Sequence, residues 1–392
     1  MEKLSYFAFI ILGISGTVNG MALPFFIERF ELSLSLAGLL LFASSLGYLT
    51  ASTAFPYFTK QYSSKSIIAV ALFTAGLGYG LLPLMPVWWL SVLVGFAANL
   101  GCGTLDVGFN TLIAGLEPHR AKPAMSWLHF SYGIGALIGP AFLSRLVSAG
   151  FSWFSFYFST SILFALFLGL WHYRAQDWTC SDAEEERTGG NSSVFQEPFF
   201  WLLFVSIFIY VSAETALVGW IPTYLTNMNV YAADATVGIS IIWLGITIGR
   251  GLCTKLSLRF TPKRILLLLT SGAALTMTVL IFIPLVWLVF AVLFLVGLFL
   301  SAIFPMIMLQ GAILFPNATA QAASGLVIAG SLGALVGPSL LGIVGESYSL
   351  QAGIGITAAM MALSTFLISR CPATPQSTPS RNKASWNHFS QN

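Results

Sequence analysis

Asp106 and Glu214 are the residues here whose type and setting promise chemistry. Each sits in a long apolar run. Asn99, Gly103, Asp106 and Asn110 recur at i, i+4, i+7 and i+11, the spacing of one helix face. Tyr210 lies one turn before Glu214. An ionised side chain inside a bilayer is costly unless it is paired or faces a water-filled cavity. Such a stripe offers hydrogen bonds to a polar solute, and its carboxyl groups can take up and release protons. The competing reading is a structural carboxylate clamped between helices. His129 and Tyr132 lie one turn apart in the next apolar run. If the chain folds back near His119, Asp106 comes level with Tyr132 and within a turn of His129. An Asp106–His129 pair would then stabilise a buried charge or relay a proton, or serve structure alone.

Further polar and aromatic residues fall in the same kind of setting. Asn19 precedes Pro24, and Trp220 precedes Pro222. Proline frees a backbone carbonyl, and such positions in membrane helices serve gates or are simply tolerated. Trp243 and Thr247 share a helix face with Arg250, for which snorkelling or an interhelical ion pair is the simplest account. Gln310 and the Phe304-Pro305 step interrupt a later run. Asn19, Asn99, Asn110, Tyr132, Tyr210, Trp220, Trp243 and Gln310 are candidate solute contacts. Asp106, Glu214 and His129 are the candidates for proton coupling or solute binding.

The elements that hold these residues follow from composition. The chain has 392 residues, 57% hydrophobic and 8% charged, against roughly 25% charged for a soluble domain. Its apolar runs are long, so they read as helices and not as the alternating strands of a barrel. Twelve candidate spans fall between residues 5 and 370. Residues 135–143, GALIGPAFL, reappear 198 positions on as GALVGPSLL, identical at six of nine places. Thr17, Pro24, Leu46-Gly47 and Lys65 find Thr215, Pro222, Leu244-Gly245 and Lys263 at the same offset. A gap-free offset over several segments means two copies of one unit. The expected organisation is a six-helix bundle over 1–173, a cytoplasmic linker over 174–197, a second six-helix bundle over 198–370 and a disordered tail over 371–392. Gly135, Gly139, Gly333 and Gly337 have the four-residue spacing that permits close helix contact. They are expected to serve packing or, with Pro24 and Pro222, gating.

Of the 17 Lys and Arg, Arg29 and Arg145 fall on one side of this topology and Arg250 within a span. The other fourteen fall on the opposite side, which the positive-inside rule makes cytoplasmic together with both termini. The four cysteines show no paired spacing, so a disulfide framework is not expected. No phosphate-cradling glycine loop and no cluster with metal-ligand spacing is present, so no cofactor and no metal are expected. No basic stripe on a soluble surface points to nucleic acid.

Five stretches carry a family resemblance: GCGTLDVGFNT (101–111), WLHFSYGIGALIGP (127–140), ETALVGWIPTYL (214–225), WLGITIGRGL (243–252) and IFPMIMLQ (303–310). At these the chain resembles the fucose/proton symporter branch of the major facilitator superfamily, which includes sodium-dependent glucose transporter-like proteins. The resemblance implies two bundles around a central cavity, lined by the first, fourth, seventh and tenth helices and exposed alternately to the two sides. It places Asp106 at an acidic position of the fourth helix, Asn110 at a nearby polar position and Glu214 in a Glu/Gly-Trp-Ile pattern of the seventh. The first span departs from it, carrying Asn19 where the fucose symporter has an acid. The basic loop motif is degraded to FPYFTKQYSSKS (55–66), and its second copy, GRGLCTKLSLRFTPKR (249–264), has Lys255 where the pattern has an acid.

The expectation is an all-α, multi-pass protein of the cytoplasmic (inner) membrane, not an enzyme, functional as a monomer. It would move a small polar solute, a sugar or related metabolite, by proton-coupled symport, with sodium as the alternative ion. Efflux of drugs or other amphipathic compounds by proton antiport is the second reading. A non-transporting receptor or scaffold is the third.

Overall fold

The computed structural model describes residues 1–175 and 194–372. Most of the expected linker, all but two residues of the expected tail, and Cys180 lie outside them. The first half contains α1 (Glu2–Phe30), α2 (Leu34–Phe58), α3 (Ser64–Leu81), α4 (Trp88–Ala114), α5 (Pro118–Ser148) and α6 (Ser155–Arg174). The second contains α7 (Pro198–Asn227), α8 (Ala232–Ala235), α9 (Val237–Leu256), α10 (Pro262–Phe282), α11 (Val286–Leu300), α12 (Ile303–Leu314), α13 (Thr319–Ser347) and α14 (Leu350–Arg370). With α8–α9 and α11–α12 each forming one span, twelve helical segments among the described residues are long and apolar enough to cross a membrane. Local chemistry sets their starts. Ser33, Ser63 and Ser349 accept backbone N–H bonds as N-caps of α2, α3 and α14. Pro118, Pro198 and Pro262 open α5, α7 and α10, where a missing N–H costs nothing.

Packing repeats with the sequence. In the first half α2 lies on α4 and α1 on α5; in the second α9 lies on α11 and α7 on α13. A Cβ on Gly47 would collide with the Phe96 carbonyl oxygen, and one on Gly245 with that of Phe294. Phe96 and Phe294 are themselves 198 residues apart. Gly135 and Gly333 meet the carbonyls of Ile10 and Phe208 in the same way, while Gly139 and Gly337 lie against Ile14 and Ser212. Each pair brings two helix backbones into contact, the geometry that small residues permit in a bilayer, where no hydrophobic force drives helices together.

Symmetry fails in the tenth span. Helix α11 ends at Leu300 and α12 resumes at Ile303, a little before the Phe304-Pro305 step expected to break it. Pro305 has no N–H to give to the carbonyl four residues back, and its ring crowds that carbonyl. The residue four back is Ser301, so the turn opens there.

The halves meet along three seams: α2–α13, α5–α9 and α1–α7. At the end away from the termini, the Glu346 carboxylate accepts the Ser35 N–H at 2.8 Å. Further along the same seam Ser45 donates to the Ala334 carbonyl at 3.0 Å. Gly20 backs onto Gly219, and Gly342 onto the Leu34 carbonyl. The seams close with Tyr132 against Trp243, ring centroids 5.6 Å apart. Helices α4 and α12 pack within their own halves, and the contacts between the halves named above run from the end away from the termini to the Tyr132–Trp243 pair.

Candidate functional site

Helix α4 presents Asp106 to α2, where Tyr48 reaches its carboxyl group, and Asn110 engages it from one turn on. The Asn110 amide also donates to the Asp106 backbone carbonyl at 2.9 Å. Asp106 and Asn110 are half-buried. The other end of the stripe packs. Asn99 is buried and returns its amide to the Gly95 carbonyl at 3.0 Å, and Gly103 abuts the Tyr48 backbone. The helix-face pattern thus mixes an open end with a packing end, because α2 covers only part of that face.

Tyr132 is the junction of the site. It lies within electrostatic reach of Asp106 from its own half and of Glu214 and Arg250 from the other. Glu214 is half-buried on α7, hydrogen-bonded by Tyr210 and within reach of Arg250. Trp243 faces Tyr132 across the α5–α9 seam, and its indole N–H has no partner. Thr247, one turn on, hydrogen-bonds the Trp243 carbonyl at 2.8 Å and lies against Gly133. Arg250 is exposed, and its Nε donates to the Ser301 carbonyl at 3.2 Å. Two carboxyl groups, three phenols, an indole and a guanidinium thus converge from α2, α4, α5, α7 and α9 around the Tyr132–Trp243 junction. Such a group can bind several hydroxyls at once and hold a mobile proton.

Several expected contacts stand elsewhere. Asn19 is buried inside the first half. Its Nδ2 donates to Ser44 Oγ at 2.8 Å, and Tyr157 donates to its Oδ1 at 3.0 Å. Its amide is engaged between α1, α2 and α6, buried away from any solute. Gln310 is buried with its Nε2 on the Pro372 carbonyl at 3.3 Å, because its face of α12 turns toward the end of α14. Trp220 is buried, bonded to the Pro338 carbonyl at 2.8 Å and wedged beside Gly38 and Gly342. It fills the α2–α13 seam and offers no stacking face. His129 forms no ion pair with Asp106. It is exposed, sits 6.0 Å edge-on from Phe9 and feels Arg250. The fold-back near His119 does bring Tyr132 within reach of Asp106, but α5 follows α1 while α4 follows α2 and α3, and His129 lies off the Asp106 side. Pro24 and Pro222 lie inside α1 and α7, both of which continue through them.

Tyr48 and Arg250 were not singled out for the site by sequence. Tyr48 sits three residues after Ser45 in an unremarkable apolar run. Arg250 does carry a signal, being a basic residue placed inside a span and not at its edge, but snorkelling explains it too easily.

The Asn19 network yields a separable prediction. Asn19→Ala leaves the Tyr157 hydroxyl without its acceptor, a cost of about 1–2 kcal/mol, while Ser44 keeps its bond to the Leu40 carbonyl. Thermal unfolding in detergent should show that loss, while the solute KM stays unchanged. A raised KM at unchanged stability would return Asn19 to the solute site.

Residues 5–330 match the family model of the Major Facilitator Superfamily. The glucose/mannose transporter GlcP of Bacillus subtilis (strain 168) is 24% identical over 395 residues, covering 97% of each chain. Sodium-dependent glucose transporter 1 of Xenopus laevis is 25% identical over 285 residues, 65% of this chain and 57% of its own. Among solved structures, a D-xylose-proton symporter superposes with a TM-score of 0.73 at 15% identity, covering 95% of this chain and 98% of that one. Twelve membrane-length helices in two repeats and a family match over most of the length place this multi-pass integral membrane protein together with those transporters: the chain belongs to the Major Facilitator Superfamily.

Proposed function

We propose that this protein is a secondary transporter for a small sugar, coupled to protons and working as a monomer by alternating access. The observation that carries the reading is the convergence of Asp106, Tyr132, Glu214 and Arg250 from both halves around the Tyr132–Trp243 junction between them. Hydroxyl-rich solutes suit phenols, an indole N–H and carboxylates, which together supply donors and acceptors on both sides of a sugar ring. The glucose/mannose and D-xylose-proton relatives support the same solute class. Asp106 and Glu214 are the coupling or solute-binding carboxyl groups. Tyr132, Tyr210, Asn110 and Trp243 are solute contacts. The reading involves no chemical change in the solute.

The charge bias puts both termini in the cytoplasm of a cell whose inner membrane holds the protein. The end of the structure that carries the termini is then the inward side, and the α2–α13 seam is an outer gate. The deciding experiment uses purified protein in liposomes under an imposed pH gradient, screened against hexoses and pentoses. Sugar-evoked proton movement supports the reading. Silence toward every sugar and proton gradient, from protein that remains folded, rejects it.

The outer gate gives a smaller prediction. Glu346 holds the first turn of α2 through the Ser35 N–H, where a helix N-terminus favours negative charge. The bond is solvent-exposed, so its loss shifts the balance from closed toward open seam only modestly. Glu346→Ala should raise the rate at which a membrane-impermeant thiol reagent labels Ser45→Cys from outside. An unchanged rate removes Glu346 from the gate.

A further inference from the structure

We infer that Arg250 is a positioning residue that ties the protonation of Glu214 to the break between α11 and α12. The inference rests on the proton-coupled reading above. Its starting point is the Ser301 carbonyl. An unbroken helix would satisfy it with the N–H of residue 305, but that residue is proline and has none to give. Arg250 Nε takes the vacancy at 3.2 Å. Gly249 makes this possible, since any side chain there would collide with Ser301. The shape of the tenth span thus depends on a side chain from α9.

The rest of the guanidinium faces the site. Arg250 keeps four further N–H donors on its Nη atoms. The charged and titratable groups around it are His129 and Tyr132 on α5 and Tyr210 and Glu214 on α7. Glu214 is the acid in this group. Among the described residues no carboxylate lies within ion-pair distance of Arg250; the ion pairs found are His119–Glu117 and Arg120–Glu2. A cation in a membrane span without a close counter-ion is an expensive arrangement. It is one the molecule relieves by moving a flexible side chain a short way.

Two arrangements follow. With Glu214 protonated, the guanidinium has no acid to pair with and stays on Ser301, holding the α11–α12 turn. With Glu214 ionised, it draws the Nη groups toward α7, and the single Nε bond lengthens or breaks. Losing or gaining a proton at Glu214 then loosens or fixes the tenth span. The only covalent change is the gain or loss of that proton.

Hydrogen exchange read by mass spectrometry on the full chain in lipid nanodiscs tests this at the peptide spanning 298–308. Wild type, Glu214→Gln, Arg250→Gln and Arg250→Lys are compared across pH, corrected for intrinsic chemical exchange. Glu214→Gln, permanently neutral, should slow exchange at the junction and remove its pH dependence. Arg250→Gln should speed exchange by about 10-fold or more, the worth of one charge-assisted hydrogen bond. It should also make Glu214→Gln silent in the double variant. Arg250→Lys keeps the charge but not the fork, so it should not restore the slow exchange. Thermal unfolding of each variant confirms that the fold survives. A junction indifferent to Glu214→Gln overturns the proposal, as does an additive double variant. If Glu214→Gln stops sugar-coupled proton flux without altering the junction, the transport reading stands and the Arg250 tie falls. If the junction responds but no sugar moves protons, the tie stands and the transport reading falls.

Discussion

Glu214→Gln should abolish accumulation of sugar against its gradient while leaving exchange of sugar down the gradient measurable. Glutamine retains the size of the side chain and a hydrogen-bonding head group but cannot titrate. Tyr210 keeps a partner, and the solute keeps an oxygen to bond. Only the proton is removed from the cycle. Asp106→Asn makes the complementary case, because Asp106 lies against Tyr48 and Asn110 in the other half. A carboxylate that contacts sugar without carrying a proton contributes a charge-assisted hydrogen bond of about 2–3 kcal/mol. Its loss raises the sugar KM about 30- to 150-fold and leaves proton stoichiometry intact. The measurement is a pair: uptake driven by a pH gradient, and counterflow of labelled sugar at equal pH. Loss of uptake with intact counterflow identifies the coupling acid. Loss of both with raised KM identifies a solute contact. Unaltered uptake in both variants removes the two carboxyl groups from the mechanism.

The twelve spans, the two-fold repeat and the two acids were legible in sequence because each is a one-dimensional property. Bilayer thickness fixes the length of an apolar run, and a carboxylate inside such a run announces its cost. What the acids face was less legible. Asn19 and Asp106 look alike on paper, each a polar residue in an apolar helix. The difference is that Ser44 and Tyr157 converge on Asn19 from helices that sequence does not rank by distance. Gln310 and Trp220 fail for the same reason. Their helix faces turn toward Pro372 and toward the α2–α13 seam, and a repeat of 198 residues says nothing about that rotation. His129 shows the limit of hairpin reasoning, since adjacent spans need not stay adjacent beyond their turn. Arg250 shows a different limit. A basic residue inside a span is visible, but its use depends on Pro305 opening the Ser301 carbonyl in another span.

Gly135→Ala should be as damaging as the loss of either acid, through packing and not chemistry. The new methyl would land on the Ile10 carbonyl oxygen, a rigid part of α1 that cannot rotate aside. The α1–α5 seam must then widen along its length. Alanine favours a helix over glycine by about 1 kcal/mol, whereas overpacking a tight contact costs about 1–3 kcal/mol, so the clash wins. Gly333→Ala repeats the test in the other half against the Phe208 carbonyl, and the repeat predicts a matching loss. Gly169→Ala on α6 is the control. Nothing lies within 4 Å of a Cβ there, so this change should be neutral or stabilising. Widening the first seam also displaces function, because Gly13 on α1 lies against the Tyr132 backbone and Tyr132 is the site's junction. Gly135→Ala is therefore expected to lower both the unfolding temperature and the transport rate, while Gly169→Ala changes neither downward. Thermal unfolding monitored by size-exclusion chromatography, alongside sugar uptake, reads both. If Gly135→Ala and Gly169→Ala behave alike, helix contact at these glycines is not what holds the halves in shape.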